Sequence, residues 1–85
     1  MRKLTLTAAT PAGRFFQGEI LGLTLRGTEG DLTVLPGHAP LITTFSSGLC
    51  RLRLPDGIRR LQTAAGLLTV SDAEITLLSA SLRWE

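Results

Sequence analysis

The sequence has 85 residues, with nine basic and seven acidic side chains and a formal net charge of +2 at pH 7. This length predicts one domain with a modest core, and the small net charge does not favour nucleic-acid binding. No run of about 18 apolar residues is present, which excludes a membrane-spanning helix, and no apolar segment follows the basic N-terminus, so no signal peptide is predicted.

Short runs rich in leucine, threonine, valine and isoleucine recur between turn signals, a pattern typical of an all-β sandwich or barrel. The clearest hairpin signal is Leu54–Ile58, because Asp56-Gly57 favours a tight reversal. We predict a compact sandwich of two antiparallel sheets, with about nine to ten short strands in a single domain over residues 1–85. The predicted strands, in chain order, are Lys3–Thr10, Phe16–Gly18, Ile20–Arg26, Asp31–Leu35, Leu41–Phe45, Gly48–Leu54, Ile58–Thr63, Gly66–Val70 and Glu74–Ser79.

The most informative stretch of the chain is residues 27–41, which read Gly-Thr-Glu-Gly-Asp-Leu-Thr-Val-Leu-Pro-Gly-His-Ala-Pro-Leu. Gly27 and Gly30 enclose an acidic tip, where glycine permits backbone angles that bulky residues resist. A short strand follows, and Pro36-Gly37 ends it because proline has no amide to donate to a sheet. The pattern therefore predicts two fixed turns with one strand between them.

This stretch resembles the epsilon subunit of bacterial and chloroplast F-type ATP synthases. The motif is a Glu-Gly-acid-Leu strand start that runs into Pro-Gly-His-Ala-Pro-Leu. Weaker matches occur in the family's order at Leu4–Thr7, Phe16–Ile20, Gly66–Val70 and Glu74–Leu78, so the resemblance covers essentially the whole chain. The usual family member continues into two C-terminal helices, for which the residues after Ser79 are too few. We therefore expect no inhibition of ATP hydrolysis and no nucleotide binding from these 85 residues.

The resemblance implies a non-catalytic rotor subunit of a proton- or sodium-translocating ATP synthase, peripheral to the cytoplasmic face of the bacterial membrane and without direct lipid insertion. Its partners would be the gamma subunit and the ring of c subunits. The residues that match the family's ring-facing loop are Thr28, Glu29, Gly30 and Asp31. The residues that match its gamma-facing side are Thr10, His38, Pro40, Leu41, Ile42 and Thr43.

The residues themselves give a physical reason for an interface near His38. Leu41 and Ile42 are adjacent apolar residues, and adjacent residues of a strand point to opposite faces. If one of them faces the core, the other faces solvent or a partner, unless the domain's own loops cover both faces. The sequence leaves open which of the two is exposed.

The inventory for catalysis and cofactor binding is short. His38 is the only histidine and stands in a Pro-Gly turn, without a nucleophile elbow beside it. Glu29 and Asp31 could form an acid–base pair or half of a cation site, but two carboxylates on a glycine-rich loop are more typical of a solvated turn. We expect no enzyme activity and no cofactor. The alternatives are a free-standing β-sandwich module that binds a ligand or peptide, and a hydrolase that uses His38 with Asp31 or Glu29.

The arginines and the single cysteine are predicted to be structural. Arg51 and Arg53 project to one side of a strand and Arg59-Arg60 follows the next turn, but no aromatic residue is interleaved with them for base stacking. We interpret these arginines as a solvated strand face that resists aggregation, with no nucleic-acid partner. Cys50 alternates with the arginines on the leucine side, so we predict a buried, unreactive thiol.

Overall fold

The computed structural model describes residues 3–27 and 30–85. The described part of the chain consists of β-strands, turns and loops, without a helix. It therefore contains no helix long and apolar enough to cross a membrane. The strands are β1 (Leu4–Thr10), β2 (Gly13–Ile20), β3 (Gly22–Gly27), β4 (Gly30–Val34), β5 (Leu41–Phe45), β6 (Gly48–Leu54), β7 (Gly57–Thr63), β8 (Gly66–Ser71), β9 (Glu74–Ser79) and β10 (Leu82–Trp84).

The ten strands form a sandwich of two five-stranded sheets, as predicted. Sheet I has the order β10-β7-β6-β3-β4, and sheet II has the order β5-β8-β9-β1-β2. A single residue pair, Gly27 with Phe45, joins the hydrogen-bonded ladders of the two sheets. All pairs are antiparallel except β1 with β9, which is parallel. The sheets are thus mostly, rather than wholly, antiparallel.

The core lies between the two sheets and follows the period-2 alternation of each strand. In β1 the residues at alternate positions from Leu4 to Ala8 are buried, while the threonines between them are not. Sheet I contributes an equivalent inner layer that includes Leu23, Leu52 and Leu61. Leucine, isoleucine and valine dominate both layers, so burial of apolar area is the main stabilising term of the fold.

Most strand boundaries lie within one residue of the sequence-based prediction, and the larger differences are at β2, β3 and β10. The predicted strand Phe16–Gly18 is the middle of β2, which is eight residues long and pairs with β1 along its whole length. β3 begins at Gly22 rather than Ile20. The C-terminal strand β10 was not predicted, because three residues are too short for alternation to be visible; tertiary pairing with β7 creates it.

An aromatic cluster closes one side of the sandwich between β2 and β10. The β1–β2 register shifts between Ala8 and Ala9, which are opposite Phe16 and Arg14, so Phe15 has no direct partner. Such a bulge changes the direction of the side chains. The ring centroids of Phe15 and Phe16 lie 5.3 and 5.6 Å, respectively, from the ring centroid of Trp84. The guanidinium of Arg59 lies 3.8 Å from the centroid of the Trp84 ring. Arg59 is one of the four arginines that were predicted to be solvated, and it is instead stacked on an aromatic residue that is distant from it in sequence.

Candidate functional site

The acidic tip lies only partly within the described residues. Thr28 and Glu29 of the predicted ring-facing loop are outside them. Gly30 is exposed and has a φ of +128°, a backbone conformation that favours glycine. Asp31 is exposed and its Oδ1 lies 3.2 Å from Arg26 Nε across the β3–β4 pair. An exposed pair of this kind contributes little to stability, so it fixes the position of the Asp31 carboxylate more than it stabilises the fold.

The Pro-Gly-His corner is a hydrogen-bonded β-turn. The amide of His38 donates to the carbonyl oxygen of Leu35 at 3.0 Å, and Gly37 has a φ of +90°. Proline and then a positive-φ glycine at the two central positions are the features of a type II turn. The ring Nδ1 of His38 donates to the carbonyl oxygen of Ala39 at 2.7 Å, which orients the imidazole along the chain that leads to Pro40.

The acidic tip and the Pro-Gly-His corner lie at opposite ends of β4. The tip precedes Gly30 and the corner follows Val34, and a five-residue strand spans roughly 14 Å at its usual rise. The sequence predicted two turns with one strand between them, and this extended strand places the turns at opposite ends of the sandwich. For the same reason His38 and Asp31 are not brought together, and the arrangement needed for a hydrolase that uses this pair is missing.

The question left open at Leu41 and Ile42 is answered by their burial. Leu41 is partly buried and packs against the core, whereas Ile42 is 75% exposed. Thr43 is opposite Leu68, a core residue, so it faces inward as Leu41 does. Among the predicted gamma-facing residues of β5, Ile42 alone is therefore on the outer face.

Ile42 belongs to an uncharged part of the outer surface of sheet II, which we call the threonine face. Pairing across β5, β8, β9 and β1 aligns two rows of outward residues. The first row contains Ile42, Thr69, Thr76 and Thr7, and the second contains Thr44, Leu67, Leu78 and Ala9. None of these eight side chains carries a charge. Leu78 is 43% exposed, so the face offers apolar as well as hydroxyl groups to a partner.

The second row of the threonine face opens into a shallow apolar groove of about 570 Å³. Thr10 lines this groove, which places another predicted gamma-facing residue beside the threonine face. The groove residues Thr44, Leu67 and Leu78 were missed by the sequence analysis. The signal was available, because Leu67-Leu68 and Leu77-Leu78 are adjacent apolar pairs like Leu41-Ile42, each with one member that must face outward.

The outer surface of sheet I, which we call the arginine face, is the chemical opposite of the threonine face. Its exposed arginines are on four of the five strands of sheet I, at positions that point away from the core. Arg51 and Arg60 are directly opposite one another in the β6–β7 pair. The members of this face are Arg26, Arg51, Arg53, Arg60 and Arg83.

The described residues offer no arrangement for metal chemistry or for a reactive thiol. Within residues 3–27 and 30–85, no three His, Cys, Asp or Glu side chains lie close enough to hold a metal ion. Cys50 is buried beneath the arginine face, and burial raises the pKa of its thiol to about 12. The prediction of a buried cysteine is confirmed, and the high pKa makes the thiol a poor nucleophile near neutral pH.

Comparison with known proteins gives a consistent family. Residues 3–85 match the family model described as the β-sandwich domain of the ATP synthase delta/epsilon chain. The ATP synthase epsilon chain of Clostridium kluyveri is 35% identical over 82 residues, which are 95% of this chain and 62% of that protein. The chain thus spans less than two thirds of the length of that curated relative.

Two solved structures share the fold at low sequence identity. A chain of the Euglena gracilis mitochondrial ATP synthase, in a cryo-EM structure of the OSCP, F1 and c-ring, superposes with a TM-score of 0.91 at 18% identity, over 99% of this chain and 54% of that chain. A chain of the Tetrahymena thermophila mitochondrial ATP synthase, in a cryo-EM structure of the central stalk and c-ring, gives a TM-score of 0.81 at 17% identity, over 96% and 66% respectively. With the family match over residues 3–85, the conclusion is that this chain belongs to the delta/epsilon-chain β-sandwich family of the ATP synthases.

Proposed function

We propose that this chain is a non-catalytic central-stalk subunit of an F-type ATP synthase, on the cytoplasmic face of a bacterial membrane. In this role it joins the gamma subunit to the c-ring, so that proton or sodium-ion flow is coupled to ATP synthesis. The family match supports the proposal, as do the solved relatives, which come from ATP synthase assemblies that contain a c-ring.

The observation that carries the proposal is the threonine face. An uncharged face can dock against another protein without the cost of desolvating a charge. Ile42, on the edge strand β5 of this face, is the most exposed of the large hydrophobic residues of the described chain. We assign this face to the gamma subunit, with Ile42 and Thr10 as direct contacts.

The other predicted gamma-facing residues have supporting positions. Leu41 and Thr43 are on the inner side of β5, where they hold the strand that presents Ile42. His38 and Pro40 lie in the turn region that leads into β5, at the rim of the proposed interface. The groove residues Leu67 and Leu78 extend the proposed contact across β8 and β9.

The end of the domain with the acidic tip is assigned to the c-ring. Gly30 and Asp31 are exposed there, and the Asp31 carboxylate is held by Arg26 on one side only. Carboxylates at a turn can pair with basic or amide groups of a polar loop, which fixes register and orientation more than affinity. A strand-length separation from the Pro-Gly-His corner lets one domain contact two partners at once.

Two exposed isoleucines on opposite faces provide a matched test. Ile42→Asp should weaken binding to the gamma subunit by at least about 2 kcal/mol, roughly thirtyfold, because the interface would bury an unpaired carboxylate. Ile58→Asp, on the arginine face, should leave gamma binding unchanged. The measurement is titration calorimetry with the gamma subunit from the same source, and thermal melts should show both variants folded.

The proposal fails if folded Ile42→Asp binds the gamma subunit as tightly as the unmodified chain does. It fails equally if Ile58→Asp loses as much affinity as Ile42→Asp, since the two faces would then not be distinguished. His38→Ala should have a smaller effect than Ile42→Asp, because removing a side chain at the rim of an interface costs less than burying an unpaired carboxylate in it.

A further inference from the structure

The arginine face has more positive charge than the fold uses. Five arginines are on it, and the described residues place only two carboxylates on the same surface. Asp31 is 3.2 Å from Arg26, and Glu85 is 3.9 Å from Arg60. For Arg51, Arg53 and Arg83, no carboxylate of residues 3–27 or 30–85 lies within 4 Å.

This charge pattern is unfavourable for the isolated domain. Arg51 and Arg60 are direct cross-strand partners, and like charges at such positions are destabilising. Protection of an exposed sheet edge does not account for them, because β6 lies between β3 and β7 in the interior of sheet I. Resistance to aggregation is therefore not a sufficient explanation for the arginines of this face.

A cleft of about 260 Å³, lined by both apolar and polar side chains, opens among these arginines. Ile58 is 58% exposed and Leu35 is 49% exposed, and both line the cleft together with Arg51 and Arg53. The backbone of Gly22 forms part of its wall, and a Cβ there would be 2.9 Å from Leu35 Cδ2. The face thus combines a depression that has two exposed aliphatic side chains in its wall, and room for an aliphatic side chain of a partner, with guanidinium groups beside it.

We propose that the arginine face is a second docking surface, which binds an acidic protein segment that carries an aliphatic side chain. Guanidinium groups bind carboxylates through paired hydrogen bonds, and no lysine is on this face. The segment's carboxylates pair with Arg51, Arg53 and Arg60, and its aliphatic side chain enters the cleft between Ile58 and Leu35. This surface is on the opposite sheet from the threonine face, so both can be occupied together.

Charge complementarity and the cleft favour a protein over other polyanions. Single-stranded nucleic acid binds through aromatic residues on which bases stack. The aromatic side chains of the described residues lie in the core or in the cluster around Trp84, where Arg59 is already stacked. A layer of anionic lipid headgroups would attract the arginines but would leave the cleft between Ile58 and Leu35 without an occupant.

The test uses photo-crosslinking in the cells that produce the chain. A photoreactive amino acid replaces Ile58 in one variant and Ile42 in a control variant, and the crosslinked peptides are mapped by mass spectrometry. The Ile58 position should crosslink to a peptide that contains acidic and aliphatic residues. With Arg51→Glu and Arg53→Glu added, its yield should fall roughly tenfold or more, the loss expected when like charges replace complementary ones.

The same charge changes should leave the Ile42 crosslink unchanged, which shows that the chain is folded and separates this inference from the proposed function. If charge reversal prevents folding, Arg51→Gln with Arg53→Gln replaces it and should lower the Ile58 yield in the same direction. Replacing the acidic residues of the mapped peptide by lysine should restore the yield with the reversed variant. The inference is overturned by an Ile58 crosslink to lipid or nucleic acid, by the absence of any crosslink, or by a yield that the charge changes do not alter.

Discussion

The threonine face and the arginine face are built by the same backbone arrangement but present opposite chemistry. The arginine face is on the outer surface of sheet I and the threonine face is on the outer surface of four strands of sheet II, and each covers an inner layer rich in leucine. The inner positions of the two sheets hold similar residue types. The outer positions are rich in threonine on the threonine face and in arginine on the arginine face. The outward half of each strand therefore determines which partner that strand can meet.

The difference also separates two ways of recognising a partner. An uncharged face depends on shape and apolar contact, and its affinity changes little with salt. A cationic face attracts acidic partners over a distance of about one Debye length and weakens as salt rises. One small domain can therefore keep two partners distinct without a change in fold.

The largest expected effect compares one glycine from each sheet. A Cβ at Gly66 of sheet II would overlap the Leu78 carbonyl oxygen and would lie 2.7 Å from Phe45 Cζ. Gly66→Ala should therefore lower the free energy of unfolding by about 3 kcal/mol or more. A Cβ at Gly22 of sheet I would meet the end of the flexible Leu35 side chain. Gly22→Ala should therefore change the free energy of unfolding by less than about 1 kcal/mol.

Urea denaturation of both variants measures this difference between the sheets. Equal losses in the two variants would show that sheet I is packed as tightly as sheet II. A small loss in Gly66→Ala would contradict the close approach of β8 to β9 and β5.

A second prediction concerns the inner layer of sheet I, which includes Cys50. Because burial raises the pKa of the thiol from 9.0 to about 12, the unfolded chain loses this proton at lower pH than the folded chain does. The stability should therefore fall as pH rises from 9 towards 12, with a slope of up to about 1.4 kcal/mol per pH unit. Below pH 9 both states keep the proton, and Cys50 contributes no slope.

The chain is well suited to this measurement because it contains one lysine and no tyrosine. Cys50→Ala should be less stable than the unmodified chain below pH 9, because it loses buried contacts. It should lack the slope above pH 9, so the difference in stability between the two chains should shrink as pH rises. If Cys50→Ala keeps the slope, another group is responsible. If the unmodified chain has no slope, the thiol is accessible to solvent in the folded state.

The smallest expected effect tests the repulsion on the arginine face. Arg51→Glu replaces the Arg51–Arg60 like-charge pair by an opposite-charge pair and should stabilise the domain by about 0.3–1 kcal/mol at low salt. At about 1 M salt the gain should largely vanish, since the Debye length falls to roughly 3 Å. Thr69→Val on the threonine face is the matched control, and its effect should not depend on salt.

A loss of stability in Arg51→Glu at low salt would mean that Arg51 makes a favourable interaction that outweighs its repulsion by Arg60. A gain that persists at high salt would assign the effect to packing. Either result would remove the charge argument for a docking partner.

The candidate site was predictable from sequence in part. The Pro36-Gly37 turn and one outward residue of the pair Leu41-Ile42 followed from local rules, because proline, glycine and the period of a strand act over a few residues. The bulge at Phe15, the strand β10 and the Arg59–Trp84 contact did not follow. They depend on segments far apart in the chain, and local patterns do not indicate how such segments pair.

The sequence by itself determined where most strands begin and end, which residues of each strand share a side, and which family the motif at residues 27–41 resembles. Only the tertiary structure decided which strands are neighbours. That choice gathers the threonines of β1, β8 and β9 into one face and the arginines of β6 and β7 into another. The physical reason is that alternation fixes the side of its own strand on which a residue lies, whereas the composition of a face depends on long-range pairing between strands.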